Sequence, residues 1–325
     1  MIKVGLDIGN SKLSCVVSDF KDKNSINILS IKSLPSTNIK KNTIFNYDEL
    51  LDQLKSIILE SEKNSQTKIK SINLNIPLFD HQIKYYSSEI NLYNEKISNL
   101  HLNKLVNQSE YFERENNYTN FLNYIVSYEI DQKIVDSIPY ETFGEKIKLN
   151  FFKLMIKDKI INNYFNLLKK IDLNIENYIP SPVSSSLAVI TNDEKKLGSI
   201  CLDLGHSNTS ITIFENNECV YTDSISIGSN NITHDIARGT STTISSAERL
   251  KTLYGSLHSS PSDEYEIIEV PVISGEVNSF KQINRSFLNS IIKPRVEETL
   301  EIAWQKIRQN NFHNKKIKNV IITGG

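Results

Sequence analysis

Asp7, Gly9, Ser11 and Lys12 stand close together in GLDIGNSK, and the stretch CLDLGHSNTS repeats the arrangement from Cys201. Asp7-Ile8-Gly9-Asn10-Ser11 matches Asp203-Leu204-Gly205-His206-Ser207 in kind and in position. An acid, a glycine two residues on and small polar residues behind it suit a phosphate. Tight turns concentrate backbone N–H donors without bulky side chains, and Gly9 and Gly205 let an oxyanion approach. Ser11 and Lys12 would add a hydroxyl and a cation. Asp7 and Asp203 would hold a hydrated Mg²⁺, since two like charges aimed at one place need a cation between them. A lone Asp-x-Gly reads better as a turn cap; its duplication favours the ligand reading.

The elements that must carry these turns are legible around them. Val4, Leu6 and Ile8 alternate as a buried strand that stops at the turn, and Leu13–Val17 resumes too soon for anything but a hairpin. A dinucleotide fingerprint would need a helix opened by G-x-G-x-x-G here, and that helix is missing. From Gly198 the order strand, Asp-x-Gly turn, strand, short turn at Asn216–Asn217 and strand returns. This repeat implies two similar domains facing each other, each lending one Asp-tipped hairpin to a shared cleft.

Between and after the repeats the periodicity predicts strands at Ser25–Ser33 and Ile69–Ile76 and a helix over Tyr47–Ser61. An inserted βαββ-like module follows. It has alternation in Pro77–Leu92, a helix over Glu95–Ser109, strands at Phe121–Tyr128 and Lys146–Met155, and a turn-rich Asp136–Phe143 between them. Helices are expected at Lys157–Ile171, Ser184–Ile190, Asn231–Gly239 and Ser245–Tyr254, the last opened by a Ser or Thr cap with Glu248. Short strands are expected at Tyr178–Ile179 and Glu266–Ile273. Val277–Arg308 should include a long helix kinked or restarted at Pro294. Lys318–Thr323 is a final strand entering Gly324 and Gly325, with no helix after it, so the chain is expected to be a fragment truncated there.

At 325 residues more than one domain is expected. Charged residues, 23% of the chain, nearly cancel to a net −1, which gives no support for a nucleic-acid partner. Cys15, Cys201 and Cys219 fit neither a disulfide framework nor a metal spacing and read as buried free thiols of a reducing cytosol. No secretory signal or membrane span is evident.

Five stretches, in order along the whole chain, make it similar to the actin/Hsp70/sugar-kinase ATPase superfamily, and most of all to the bacterial division family FtsA. They are GLDIGNSK, PSPVSSSLAV from Pro180, GSICLDLGHSNTS from Gly198, IGSNNITHDIARGTSTTISSAERLKTLYG from Ile227, and VIITGG from Val320. The resemblance implies an α/β, actin-like (ribonuclease H-like) duplicated fold with two lobes around a nucleotide cleft. Residues 1–78 and 156–197 would form the first core subdomain and 79–155 the inserted subdomain. Residues 198–228 and 300–325 would form a truncated second core subdomain, and 229–299 its partner. ATP and Mg²⁺ are the implied ligands. Asp7, Gly9, Asn10, Ser11 and Lys12 would face the phosphates from one side. Asp203, Gly205, His206, Ser207 and Thr209 would do so from the other. Glu248 and Lys251 resemble the pair reaching ribose and adenine, although a Glu/Lys pair on an amphipathic helix also reads as a solvated face. Gly324 and Gly325 match the turn under the base.

The chain departs from the family's D-x-G-G-G-T-T-D at His206 and Ser207, where glycines are usual, and at Ser210, where an acid is. His206 would strain the turn, donate to a phosphate or face solvent. Ser181 stands where hydrolysing relatives place a Glu or Gln, so no catalytic residue is assigned and turnover is expected to be slow or absent. The implied role is a scaffold on the cytoplasmic face of the inner membrane at the division site. It would self-associate into protofilaments and meet other division proteins. It would bind the FtsZ C-terminal peptide through 229–299, with Arg238, Arg249, Lys251 and Lys281 as docking candidates. The family's C-terminal membrane-binding helix, not found in these residues, is expected to lie beyond the truncation, and through it the inner membrane would be a partner. A PilM-like pilus-assembly platform and a sugar-kinase-like phosphotransferase are the alternatives.

Overall fold

The structure, a computed structural model, describes residues 1–22, 25–36, 38–40, 43–111, 116–135, 138–273, 279–310, 317 and 319–324. Gly325, with Asp136, Val277 and Lys318 at the edges of expected segments, lies outside the described residues. Its contacts divide the chain into two units.

The first unit runs through Met1–Asp203 and takes in Ser210–Asp223 and the last strand as far as Thr323. β1 (Ile2–Ile8) and β2 (Lys12–Asp22) form the expected antiparallel hairpin, from Ile2 opposite Asp19 to Ile8 opposite Leu13. Val4, Leu6, Ile8, Leu13, Cys15 and Val17 fill one face, so the pleat's period of two puts Asp7 on the other. β3 (Ser25–Pro35) adds to β2, and β4 (Ile39–Lys40) and β5 (Thr43–Ile44) make a small ribbon that sequence patterning does not reveal. α1 (Tyr47–Ser65) starts where the Asn46 side chain accepts from the Glu49 N–H and buries Leu50, Leu51, Leu54, Ile57 and Ile58. β6 (Ser71–Ile76) then pairs parallel with β1 and sets Asn75 beside Asp7.

The inserted module comprises β7 (His81–Asn91), α2 (Asn99–Tyr111), β8 (Tyr118–Ile130), β9 (Lys133–Val135) and β10 (Lys146–Lys157), with strand order β7-β10-β8-β9. α2 starts later than its periodicity suggests, because Lys96 forms a β-bridge with Phe143 and Ile97 exchanges backbone bonds with Thr142 and Glu141, which commits that stretch to extended pairing. α3 (Asp158–Lys169) leads to β11 (Asn174–Pro180), completing a sheet of order β11-β6-β1-β2-β3. α4 (Ser181–Val189) begins three residues before its expected start, since Pro182 suits a first helical turn. α5 (Asn192–Leu197), too short to show a period, is held by reciprocal bonds between Thr191 and Glu194.

The second hairpin follows as β12 (Ser199–Leu204), β13 (Thr209–Glu215) and β14 (Glu218–Ile225). Asn216 and Asn217, at φ 51° and 67°, close β13 to β14. The module is fastened to this sheet. His81 Nε2 lies 2.9 Å from Asp223 Oδ1, Tyr221 donates to Asp223 Oδ2 at 2.7 Å, and Phe152 meets Tyr221 edge-on at 6.3 Å. Leu122 and Tyr124 pack on Val183, Ile190, Cys201, Phe214 and Cys219. All three cysteines are free and buried. Burial and the charge of Asp203 push the Cys201 thiol up to about 11, too high to be a nucleophile at neutral pH.

The second unit holds Leu204–Thr209, the chain from Ser224 through the long helix, and Gly324. α6 (Ser229–Thr240), α7 (Ile244–Tyr254), a 3₁₀ turn (Pro261–Glu264), β15 (Ile267–Pro271), β16 (Phe280–Asn284) and α8 (Arg285–Gln309) surround a core of Ile236, Ala247, Leu250, Ile268, Val270, Leu288 and Ile292. β16 replaces the first part of the expected helical segment, and α8 runs through Pro294 without a restart. β17 (Asn319–Gly324) completes a sheet of order β14-β13-β12-β17. Among the described residues no helix is long and apolar enough to cross a membrane.

Candidate functional site

The two Asp-x-Gly turns are built alike. In the first, the Gly9 N–H donates to the Lys12 carbonyl at 3.0 Å; in the second, the Gly205 N–H donates to the Asn208 carbonyl at 3.0 Å. A Cβ on either glycine would stand 2.9 Å from that same carbonyl, so both positions exclude a side chain for one reason. Ser11, His206 and Ser207 donate their amide N–H to no other described residue. Both turns therefore present backbone donors at the end of a strand.

Asp7 and Asp203 both belong to the first unit. Burial raises the carboxyl of Asp7 above its usual range. A hydrogen bond from Asn75 and the charge of Lys12 work against this, and the charge of Asp203 adds to it. The two carboxylates thus feel each other, as the smallest of these effects. Asn75, which sequence reasoning missed, is placed by the parallel register of β6 on β1, a signal invisible before the strands are paired. A hard divalent cation accepts such oxygen ligands and keeps waters. Among the described residues no third His, Cys, Asp or Glu joins the pair into a metal-holding group.

In the second unit the N-terminus of α6 sits on turn two. Ser229 N–H donates to the Gly205 carbonyl and Asn230 N–H to the His206 carbonyl, both at 2.9 Å. Gly228 makes this possible: a Cβ there would lie 2.5 Å from each of those oxygens. Thr209, at the far end of the turn, is buried and donates to the Ile227 carbonyl at 2.8 Å. Its hydroxyl is committed to holding the turn. Gly324 has φ 116°, and its missing Cβ would meet the Leu204 backbone at 2.5 Å. Glycine is obligatory there, because both the backbone conformation and the Leu204 backbone exclude a side chain.

Glu248 and Lys251 come together on α7 with Thr233 of α6. Lys251 Nζ reaches Glu248 Oε2 at 2.7 Å, Thr233 Oγ1 at 2.9 Å and the Ser229 carbonyl at 3.3 Å, while Thr233 donates to Glu248 at 2.5 Å. α7 is capped by Thr243, whose hydroxyl accepts from Ser246 N–H, so Glu248 is free of capping duty. Burial disfavours the Glu248 charge, but the bonds from Lys251 and Thr233 prevail and hold its carboxyl below the usual range. Lys251, only 15% exposed, braces α7 against the first turn of α6 and is a poor candidate for docking a peptide. Arg238 and Arg249 are exposed.

Paired Asp-x-Gly turns on duplicated hairpins agree with what the chain resembles. The family model for Cell division protein FtsA matches residues 200–321. The Cell division protein FtsA of Rhizobium meliloti (strain 1021) is 25% identical over 98% of this chain and 75% of that protein. That of Bacillus subtilis (strain 168) is 25% identical over 99% and 73%. Over nearly its whole length the chain is thus similar to FtsA. Among solved structures, the PilM-PilN type IV pilus biogenesis complex matches with TM-score 0.66 at 13% identity, over 99% of this chain and 81% of that one. MreB5 of Spiroplasma citri bound to ADP matches at 0.54 and 13%, over 100% and 84%. These likenesses establish the actin-like ATPase fold. They leave the FtsA-like chain's own ligand to be argued from its turns.

Proposed function

We propose that this FtsA-like chain binds a Mg²⁺–adenine nucleotide and serves bacterial cell division as an actin-like scaffold. The observation that carries the reading is the matched pair of turns, each with a glycine that excludes a side chain and an acid two residues before it. Gly9, Asn10, Ser11 and Lys12, and Gly205, His206 and Ser207, would hold phosphate oxygens. Asp7 and Asp203 would hold the ion through water. Mg²⁺ would neutralise phosphate charge and would offset the burial that raises the Asp7 carboxyl. Glu248, Lys251 and Gly324 would shape the nucleoside side, the first two through their mutual bonds. Ser181, heading α4, accepts hydroxyl bonds from Ser184 and Ser185 and is no general base. Hydrolysis is accordingly proposed to be slow or absent.

Self-association into protofilaments, docking of the FtsZ C-terminal peptide on 229–299 and placement at the cytoplasmic face of the inner membrane complete the proposal, drawn from the FtsA relationship. Titration of ATP with and without Mg²⁺, on the wild type and Asp7→Ala, tests its first step. Tight Mg²⁺-dependent binding lost in the variant is expected, and unchanged binding in Asp7→Ala would sink the assignment. For the partner, the FtsZ tail is expected to bind and the N-terminus of a pilus inner-membrane protein not to. The reverse would favour the pilus platform.

A further inference from the structure

Laid on one another by their shared glycine bond, the two turns differ in where they keep a cation. Asn208 stands in the place of Lys12, and His206 in the place of Asn10. Turn one has a permanent charge at its fourth position. Turn two has none there and an imidazole at its second. The ring is half-buried, and its backbone cannot swing away, because the Gly205 and His206 carbonyls are both held by α6 and Gly228 leaves no slack between them. The charged and titratable groups that reach the ring are Glu248 and Lys251 on α7 and His234 on α6. The charge of Glu248 is already shared between Lys251 and Thr233.

We infer that His206 is a proton-coupled phosphate ligand, which engages the nucleotide's anionic tail as imidazolium after taking one proton from solvent. This rests on the nucleotide reading above. In the free protein burial holds the imidazole below its usual range; Lys251 and His234 push the same way and Glu248 pulls against them. A phosphate beside the ring favours the charged form. The bound-state pKa therefore lies above the free-state one. Affinity is greatest below the free value, falls as pH rises between the two, and levels off above the bound value. The steepest slope is about tenfold per pH unit.

Calorimetric titration of MgADP into the full chain, between about pH 5.5 and 8.5, in two buffers of different ionisation enthalpy, tests this. The wild type should take up a fraction of one proton and weaken by about tenfold or more across the window. His206→Gln keeps a neutral donor and should lose both effects, leaving weaker binding whose slope is that of the nucleotide's own phosphate. A wild type with no proton uptake, or a His206→Gln with an unchanged slope, overturns the inference and leaves the nucleotide reading standing. No MgADP binding at any pH overturns that reading, and this one with it. If His206→Gln does not fold, proton uptake by the wild type in the two buffers decides alone.

Discussion

Replacing Gly228 with alanine should unseat α6 from turn two. Gly228 lies at φ −146°, ψ −174°, extended backbone open to any residue, so alanine meets no torsional penalty there. The cost comes from the neighbour. A Cβ would stand 2.5 Å from the Gly205 and His206 carbonyl oxygens, well inside the 3.0 Å below which such contacts are essentially never seen. Both obstacles are backbone, so the helix and the turn must part by at least about 0.5 Å. Two bonds of 2.9 Å, from Ser229 and Asn230, lengthen with that movement. Overpacking costs about 1–3 kcal/mol, and each bond adds about 1 kcal/mol if lost. Together these give a destabilisation of about 3 kcal/mol, or a urea midpoint lowered by about 1–2 M.

Gly5 is the control. A Cβ at Gly5 meets nothing within 4 Å, so Gly5→Ala should stay within about 0.5 kcal/mol of wild type. Urea unfolding followed by far-UV circular dichroism compares the two. Gly228→Ala should also weaken MgADP binding while Gly5→Ala does not. If Gly228→Ala unfolds with the same midpoint as Gly5→Ala, α6 does not rest on turn two, and the support claimed for that turn fails.

Two further outcomes follow from the charges. Asp7 has a raised folded pKa, so the stability it confers is full below its unfolded value of about 3.9 and lost as pH rises through the folded one. Asp7→Asn should therefore be more stable than wild type at neutral pH in urea unfolding, with the gap closing in acid, while Mg²⁺-dependent binding disappears; a less stable variant at pH 7 would contradict the burial argument. Lys251→Met leaves Glu248 and Thr233 without their shared donor and should cost about 2 kcal/mol, which Lys251→Arg partly restores. Because the Glu248 carboxyl is held low, that difference should be present above its unfolded pKa and shrink as pH falls through the folded one; equal unfolding curves at pH 7 would remove the brace between α7 and α6.

Much of this was readable from single residues. β1, β2, α1 and the second hairpin announce themselves because burial on one face leaves a period in the sequence, and Asp-x-Gly punctuates it twice. β16 was not readable. Its five residues alternate like a strand, but they abut a twenty-five-residue helix, and only pairing with Ile267–Pro271 distinguishes them. The site divides the same way. Gly9 and Gly205 are found by type and spacing, because no other residue fits. Asn75, Gly228 and Thr233 act through strand register or helix seating, which depend on residues far away in the chain. Lys251 was visible as a cation, but its commitment to Ser229 and Thr233 was not.

What the duplication preserves, and what it lets go, is itself informative. The glycine N–H to carbonyl bond and the acid two residues earlier recur in both turns, whereas the side chains around them have drifted, Lys12 against Asn208 and Asn10 against His206. If the turns served only to reverse a hairpin, the acids would be idle, and keeping one whose burial raises its carboxyl would be a standing cost. If they served only to bind phosphate by side chains, the cation should have kept its position. Backbone donors held in a fixed geometry, with side-chain charge adjustable around them, satisfy both facts. On the proposed reading, an imidazole at His206 would retune an anion turn instead of disabling it, because the bond that shapes the turn belongs to Gly205 and Asn208 and does not involve the His206 side chain.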